Sequence, residues 1–192
     1  MTQAQDGKHS PHRHLYYMYL RFVAMILTAM VVMYAVMYLS AWEWGHIRWS
    51  ESRLFMALAM GGSMGLVMLS WMLNMYRNFK LNLVMVAVSL LLFVGAVALD
   101  RSQISVHDNS FMSGMIPHHS MAILRAERAR IADLRVCELA VQISESQRRE
   151  ILEMEWLIED IKRNGPATTP SSAAARPVPD FRVSAERQCG IG

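Results

Sequence analysis

Apolar residues crowd the first half of the chain and thin out in the second. Three runs, Leu15 to Leu39, Leu54 to Met75 and Leu81 to Leu99, each approach the ~20 residues that a helix needs to cross a bilayer. Beyond Leu99 the pattern becomes amphipathic. Asp108, Asn109 or Ser110 offers an N-cap for a helix running to about Ile131, in which Pro117 lacks a backbone donor and predicts a kink or restart. A second helix is predicted from Leu134 to Asn164, capped by Asp133 and stopped by Asn164-Gly165-Pro166. Its apolar face runs through Val136, Ala140, Ile143, Gln147, Ile151, Met154, Ile158 and Ile161.

The pattern therefore gives an all-α protein, three transmembrane helices followed by an antiparallel helical hairpin. Residues 1–14 read as a disordered cytoplasmic leader, 15–99 as the membrane region, 106–165 as the hairpin domain and 166–192, rich in Ala, Pro, Ser and Thr at its start, as a flexible tail. The first run is too long for a signal core and Leu39-Ser40-Ala41-Trp42-Glu43 lacks a small-x-small cleavage site, so it is expected to stay as an anchor. Tyr16, Tyr17 and Tyr19 at one end and Trp42, Trp44 and Trp49 beyond the other mark the two interfaces. Arg21, inside the apolar boundary, should snorkel to the surface.

Lys8, Arg13, Arg21, Arg77 and Lys80 outweigh the mixed charges of the opposite side, which puts the N-terminus in the cytoplasm. Three crossings then place the hairpin in the periplasm or outside a bacterial inner membrane. The absence of ionisable residues from the middle of the spans argues against a pump or channel working as a monomer. Met56, Met60, Met64, Met68 and Met72 recur every four residues, but such a row winds around the helix and reads as packing. Ala57, Gly61 and Gly65 allow close approach by another helix, of this chain or of a second copy.

A net charge of +3 and a pI near 9.1 raise nucleic acid as a partner, yet the basic residues are scattered and no aromatic-bearing basic groove can be drawn. Cys137 falls on a helix and Cys189 in the tail. Two free thiols are the expectation, with a disulfide as the alternative outside the cytoplasm.

The chemistry concentrates between Asp108 and Ile123, where Met112, Met115, His118, His119 and Met121 fall within ten positions. Met115 precedes the two histidines by three and four residues, so a thioether and an imidazole share a helix face. These donors suit copper, above all Cu(I). Core packing by methionine and a satisfied histidine is the plainer reading of the same spacing.

Met115-Ile116-Pro117-His118-His119, with Asp108 and Phe111 before it, Ala122-Ile123 after it, and Gln147, Glu150-Ile151, Met154 and Trp156-Leu157 in the second helix, resembles the signature of a bacterial ferritin-like family known as domain of unknown function 305. The resemblance covers roughly Val106 to Asn164. It implies copper binding through Met115, His118, His119 and Met154. Where the family has a small or polar pair after the histidines this chain has Ser120-Met121, which brings in Met121 as a further candidate beside Met112.

Reflecting the two helices about residue 132 or 133 sets His118 and His119 level with Gln147, Met115 level with Glu150 and Ile151, and Met154 beside Phe111 and Met112. A two-helix hairpin buries little alone, so two copies are expected to form a four-helix bundle, with the metal site completed across the homodimer. The leading expectation is a membrane-anchored, extracytoplasmic copper-binding protein that sequesters the ion or exchanges it with a donor or acceptor protein. The alternative is a metal-free membrane scaffold whose hairpin docks a partner. An enzyme is not expected: Glu-x-x-His pairs, a Ser nucleophile elbow, a phosphate loop and His-Glu-x-x-His are all missing.

Overall fold

The structure, a computed structural model, describes residues 11–190, with side chains from Tyr16 onward. Among the described residues all regular structure is helical. α1 spans Pro11–Val36, α2 Glu51–Trp71, α3 Phe79–Ser102, α4 Asp108–Arg128, α5 Leu134–Asn164 and α6 Pro170–Ala174, with one 3-10 turn at Trp44–His46. Most of the predicted leader lies outside the described residues; residues 11–14, read as part of it, already belong to α1. The chain forms two compact units. One comprises the chain up to Ala35 with Leu54–Gln103, the other Val36–Arg53 with the chain from Ile104 onward.

The first unit holds three helices long and apolar enough to cross a membrane, Tyr16–Val36, Glu51–Trp71 and Phe79–Ser102. Their outer surfaces are greasy, as with Val31 and Leu91, while Tyr19, Phe22, Ile26, Leu69 and Tyr76 form a core joined by Met18, Met30, Met64, Met68, Met72 and Met85. The methionine row of α2 does wind: Met56 is exposed, whereas Met64, Met68 and Met72 pack against this core. Its glycines let helices of this same chain close up. A Cβ on Gly61 would meet Met30 of α1, and one on Gly62 would lie 2.6 Å from the Ser89 carbonyl of α3. Where α2 turns into α3, the Tyr19 hydroxyl donates to Asn82 Oδ1 at 2.6 Å and the Asn82 amide donates to the Tyr76 carbonyl at 2.6 Å. Asn78 caps α3 by accepting from the Leu81 N–H.

In the second unit α4 and α5 pair as an antiparallel hairpin. Asp133 caps α5 through the Arg135 N–H, and Gly165, at φ 76°, ends it. α4 starts at Asp108, with His107 in the N-cap position and no side-chain cap, and runs unbroken through Pro117 rather than restarting there. The buried face of α5 is Cys137, Ala140, Ser144, Ile151 and Met154. Val136 and Ile143, expected on it, are exposed together with Leu139. Small and polar residues set the phase here: Ser144 turns inward because its hydroxyl donates to Glu127 of α4, and Cys137 because it is bonded.

Two further segments cover the hairpin. Trp42, expected at the membrane surface, instead packs against the hairpin core, while Trp44 and Trp49 stay exposed. Residues 166–190, expected as a flexible tail, run back along the hairpin as a strap. Arg176 pairs with Asp160 at 2.6 Å, and Arg187 donates to the carbonyls of Ala126, Glu127 and Ala129, which satisfies the open end of α4. A disulfide joins Cys137 to Cys189, with a Cα–Cα distance of 5.9 Å, so the expectation of two free thiols fails. Spacing alone hid the pairing, because nothing in the sequence showed that the strap returns 52 residues to the start of α5.

Candidate functional site

On α4 the spacing of three and four residues brings Met112, Met115, Ile116, His119 and Ile123 to one face. α5 meets it with Ile151, Met154 and Ile158. Met112, Ile116, Ile123, Ile151 and Met154 form one buried cluster, with Met115, Leu157, Ile158, Ile161 and Trp42 packed around it. Three of the predicted thioether ligands therefore share one hydrophobic cluster. Met121 is half-buried and belongs elsewhere.

His119 is 7% exposed and bonded at both ring nitrogens. Nδ1 lies 2.9 Å from the Met115 carbonyl, which only accepts, so Nδ1 carries a proton and donates it. Nε2 is thereby turned away from α4 and lies 2.6 Å from Glu150 Oε2. An imidazole held at Nδ1 by a carbonyl, with Nε2 presented outward, has the orientation in which histidine ligates metals. His118 does not join it. Its side chain is exposed, and the two rings stand 6.0 Å apart at 67°, as consecutive helical positions require.

The cross-hairpin pairing differs from the expected one by about a turn. His119 meets Glu150, not Gln147, and Glu127 meets Ser144 and Arg148. Reflecting backbone positions ignores the tilt of every Cα–Cβ bond toward the helix N-terminus. In an antiparallel pair that tilt sends α4 side chains away from the turn and α5 side chains toward it. The same offset carries Met115 toward Met154 rather than toward Glu150 and Ile151.

Beside this cluster lies a polar site that the sequence did not announce. Ser120 is fully buried, accepts the Trp42 N–H at 2.7 Å, and its hydroxyl lies 3.0 Å from Nδ1 of His46. His46 Nε2 faces Glu43 at 3.8 Å. Trp42, Glu43, His46, Arg148, Glu155 and the strap residue Val183 line a cavity of about 340 Å³. Below it Glu127 gathers the Ser144 hydroxyl, the Glu186 N–H at 3.0 Å and Arg148 at 3.4 Å. Burial alone would raise its pKa, but these hydrogen bonds and the Arg148 charge hold the carboxyl below the ordinary carboxylate range. The Arg148 guanidinium lies over the Trp42 ring, 5.1 Å from its centroid. No motif marks these residues; loop, hairpin and strap supply them from distant positions.

Among the described residues no three His, Cys, Asp or Glu side chains converge on a common metal position. The donors at hand are mainly thioethers with one oriented imidazole, a soft set rather than a zinc or di-iron cage.

A helical hairpin held by a disulfide strap and attached to three membrane-length helices defines the class of this protein. Residues 99–184 match the family model described as Domain of unknown function (DUF305). The chain is also 32% identical over 146 residues to Uncharacterized protein L153 of Acanthamoeba polyphaga mimivirus, a match that takes in 72% of this chain and 94% of the viral protein. The chain belongs to the DUF305 family. The family model extends past α5 into the strap as far as Ser184, and the viral match is longer than everything from residue 99 onward, so it includes part of the membrane unit. No solved structure matches the chain.

Proposed function

We propose that this protein is a membrane-anchored copper-binding protein whose hairpin unit lies outside the cytoplasm. The observation that carries the reading is the meeting of Met112, Met115 and Met154 in one buried cluster beside His119, whose ring is oriented by the Met115 carbonyl. The residues fit the ion: thioethers prefer Cu(I) and need no deprotonation, and His119 Nε2 becomes a ligand once Glu150 moves aside. Bound there, copper would supply a reversibly exchangeable soft cation. Met115, Met154, Met112 and His119 would hold it, while His118 and Met121 lie outside this set and suit a transfer position.

Two observations support the location. The Cys137–Cys189 disulfide belongs to an oxidising compartment. Two crossings, by α2 and α3, return the chain from Ile104 onward to the side of Val36–Arg53, and those two segments build one unit. Arg77 and Lys80 then lie on the cytoplasmic side, in keeping with the positive-inside rule. The ion would be sequestered or passed to a partner at this outer face of an inner membrane.

A docking role is favoured by the exposed row of Val136, Leu139 and Ile143 on α5. A second copy completing a four-helix bundle would use this row, since Trp42 and the strap already cover the face near Ile123 and Ile151.

The test is a Cu(I) competition titration against a chromophoric chelator, with the full chain in detergent micelles. The native protein should bind one tight equivalent, and His119→Gln or the Met115→Leu/Met154→Leu pair should lose it. Equal binding by native protein and both variants would refute the site, and absence of binding by all of them would leave docking as the function.

A further inference from the structure

We infer that the membrane unit carries a binding site for an anionic phospholipid at the end where α2 turns into α3. The inference rests on the three helices crossing a bilayer and is independent of copper. Arg21 lies one turn inside the apolar stretch Tyr16–Val36, and no acidic side chain among the described residues pairs with it. Its guanidinium leans back over the Tyr17 ring, 5.9 Å from the centroid, so the charge is drawn toward the aromatic belt at the helix entrance. The neighbouring hydroxyl of Tyr19 bonds Asn82, which fixes this level of α1 beside the α2–α3 connection. Exposed Arg77 sits on that connection and exposed Lys80 in the first turn of α3.

Next to Arg21 the helices leave a cavity of about 460 Å³, lined otherwise by Met18, Phe22, Met25, Met72, Met75 and Tyr76. That volume is in the ~300–1,000 Å³ range of small-ligand sites. Its walls are apolar and adaptable, and its one charge is a cation at headgroup depth. A phosphate on a hydrocarbon chain satisfies both features at once. The four thioethers suggest a soft metal ion instead, but the guanidinium in the lining repels a cation and attracts an anion. Free phosphate would meet Arg21 yet leave the apolar walls empty.

The experiment is native mass spectrometry of the full chain released from micelles, titrated with phosphatidylglycerol, with phosphatidylcholine of the same acyl chains, and with inorganic phosphate. The native protein should retain phosphatidylglycerol in preference to phosphatidylcholine and ignore inorganic phosphate. Arg21→Gln should cut phosphatidylglycerol retention ~5-fold, the factor for losing one basic residue at a charged membrane surface. Met75→Trp, which fills the cavity, should reduce retention of the chain without touching the charge. Thermal melting of each variant shows that it is folded. The proposal is overturned if Arg77→Gln/Lys80→Gln abolishes the preference while Arg21→Gln keeps it, because general surface charge then suffices. It is equally overturned if lipid retention ignores both Arg21→Gln and Met75→Trp, or if the cavity variant instead loses a bound Cu(I).

Discussion

His119 Nε2 and Glu150 Oε2 lie 2.6 Å apart across the hairpin, and the pair occupies the nitrogen of this ring that the Met115 carbonyl leaves for a metal. Glu150 is 40% exposed, so solvent weakens the pair, and Glu150→Gln should cost only about 1 kcal/mol of folding stability. Its effect on copper has the opposite sign. A carboxylate that must be displaced competes with the ion, so Glu150→Gln should bind Cu(I) at least as tightly as the native chain, whereas His119→Gln should bind more weakly. Competition titration of both variants checks this, and a large loss in Glu150→Gln would make Glu150 a ligand rather than a competitor.

The disulfide closes a loop of 52 residues and constrains the unfolded chain accordingly. Replacing both cysteines by Ser should lower the stability of the hairpin unit by about 2–4 kcal/mol. Limited proteolysis should then cut within residues 176–190 while α4 and α5 stay intact. Unchanged cleavage would mean that Arg176 and Arg187 hold the strap without the bridge.

Glu127 predicts an acid-sensitive hairpin. Its folded pKa lies below its unfolded one, so the carboxylate stabilises the fold above the unfolded value of about 4.3 and that contribution disappears as pH falls through the lower folded value. Denaturation midpoints measured from pH 7 downward should fall in this acid window. Glu127→Gln should be less stable at neutral pH and show a shallower acid slope; parallel slopes would remove Glu127 from the account.

Gly62 separates α2 from α3 by less than a methyl group. An added Cβ would meet backbone on both contacts, the Ser89 carbonyl at 2.6 Å and the Phe93 nitrogen at 2.7 Å, so Gly62→Ala should destabilise the membrane unit by about 1–3 kcal/mol. Gly95→Ala, which meets nothing within 4 Å, is the matched control and should melt like the native protein.

What the sequence made legible follows from which interactions are local. Apolar runs and the caps at Asp133 and Gly165 act within a few residues, and the three long helices and the bounds of α5 were readable from them. That Met115 and one imidazole share a face was readable because helical spacing sets it; which of His118 and His119 turns inward was not. Glu150 and Trp42 were misplaced, and Ser144 passed unnoticed, because their partners lie 31, 78 and 17 residues away. Val136 and Ile143 went to the wrong face for the same reason: hydrophobicity was the only local guide to the phase of α5, and the Glu127–Ser144 bond overrode it. Cys189 gave no hint of its partner, since an extended strap has no periodicity to read.

The Trp42 N–H reaches Ser120 from a segment made before α2 and α3, and Ser120 follows both. The unit built from Val36–Arg53 and the chain from Ile104 onward is therefore discontinuous in sequence, and its two parts meet only if an even number of crossings separates them. Should either α2 or α3 fail to insert, Trp42 and Ser120 would end in different compartments and the unit could not close. Closure of this one unit therefore ties α2 to α3: either both cross a membrane or neither does.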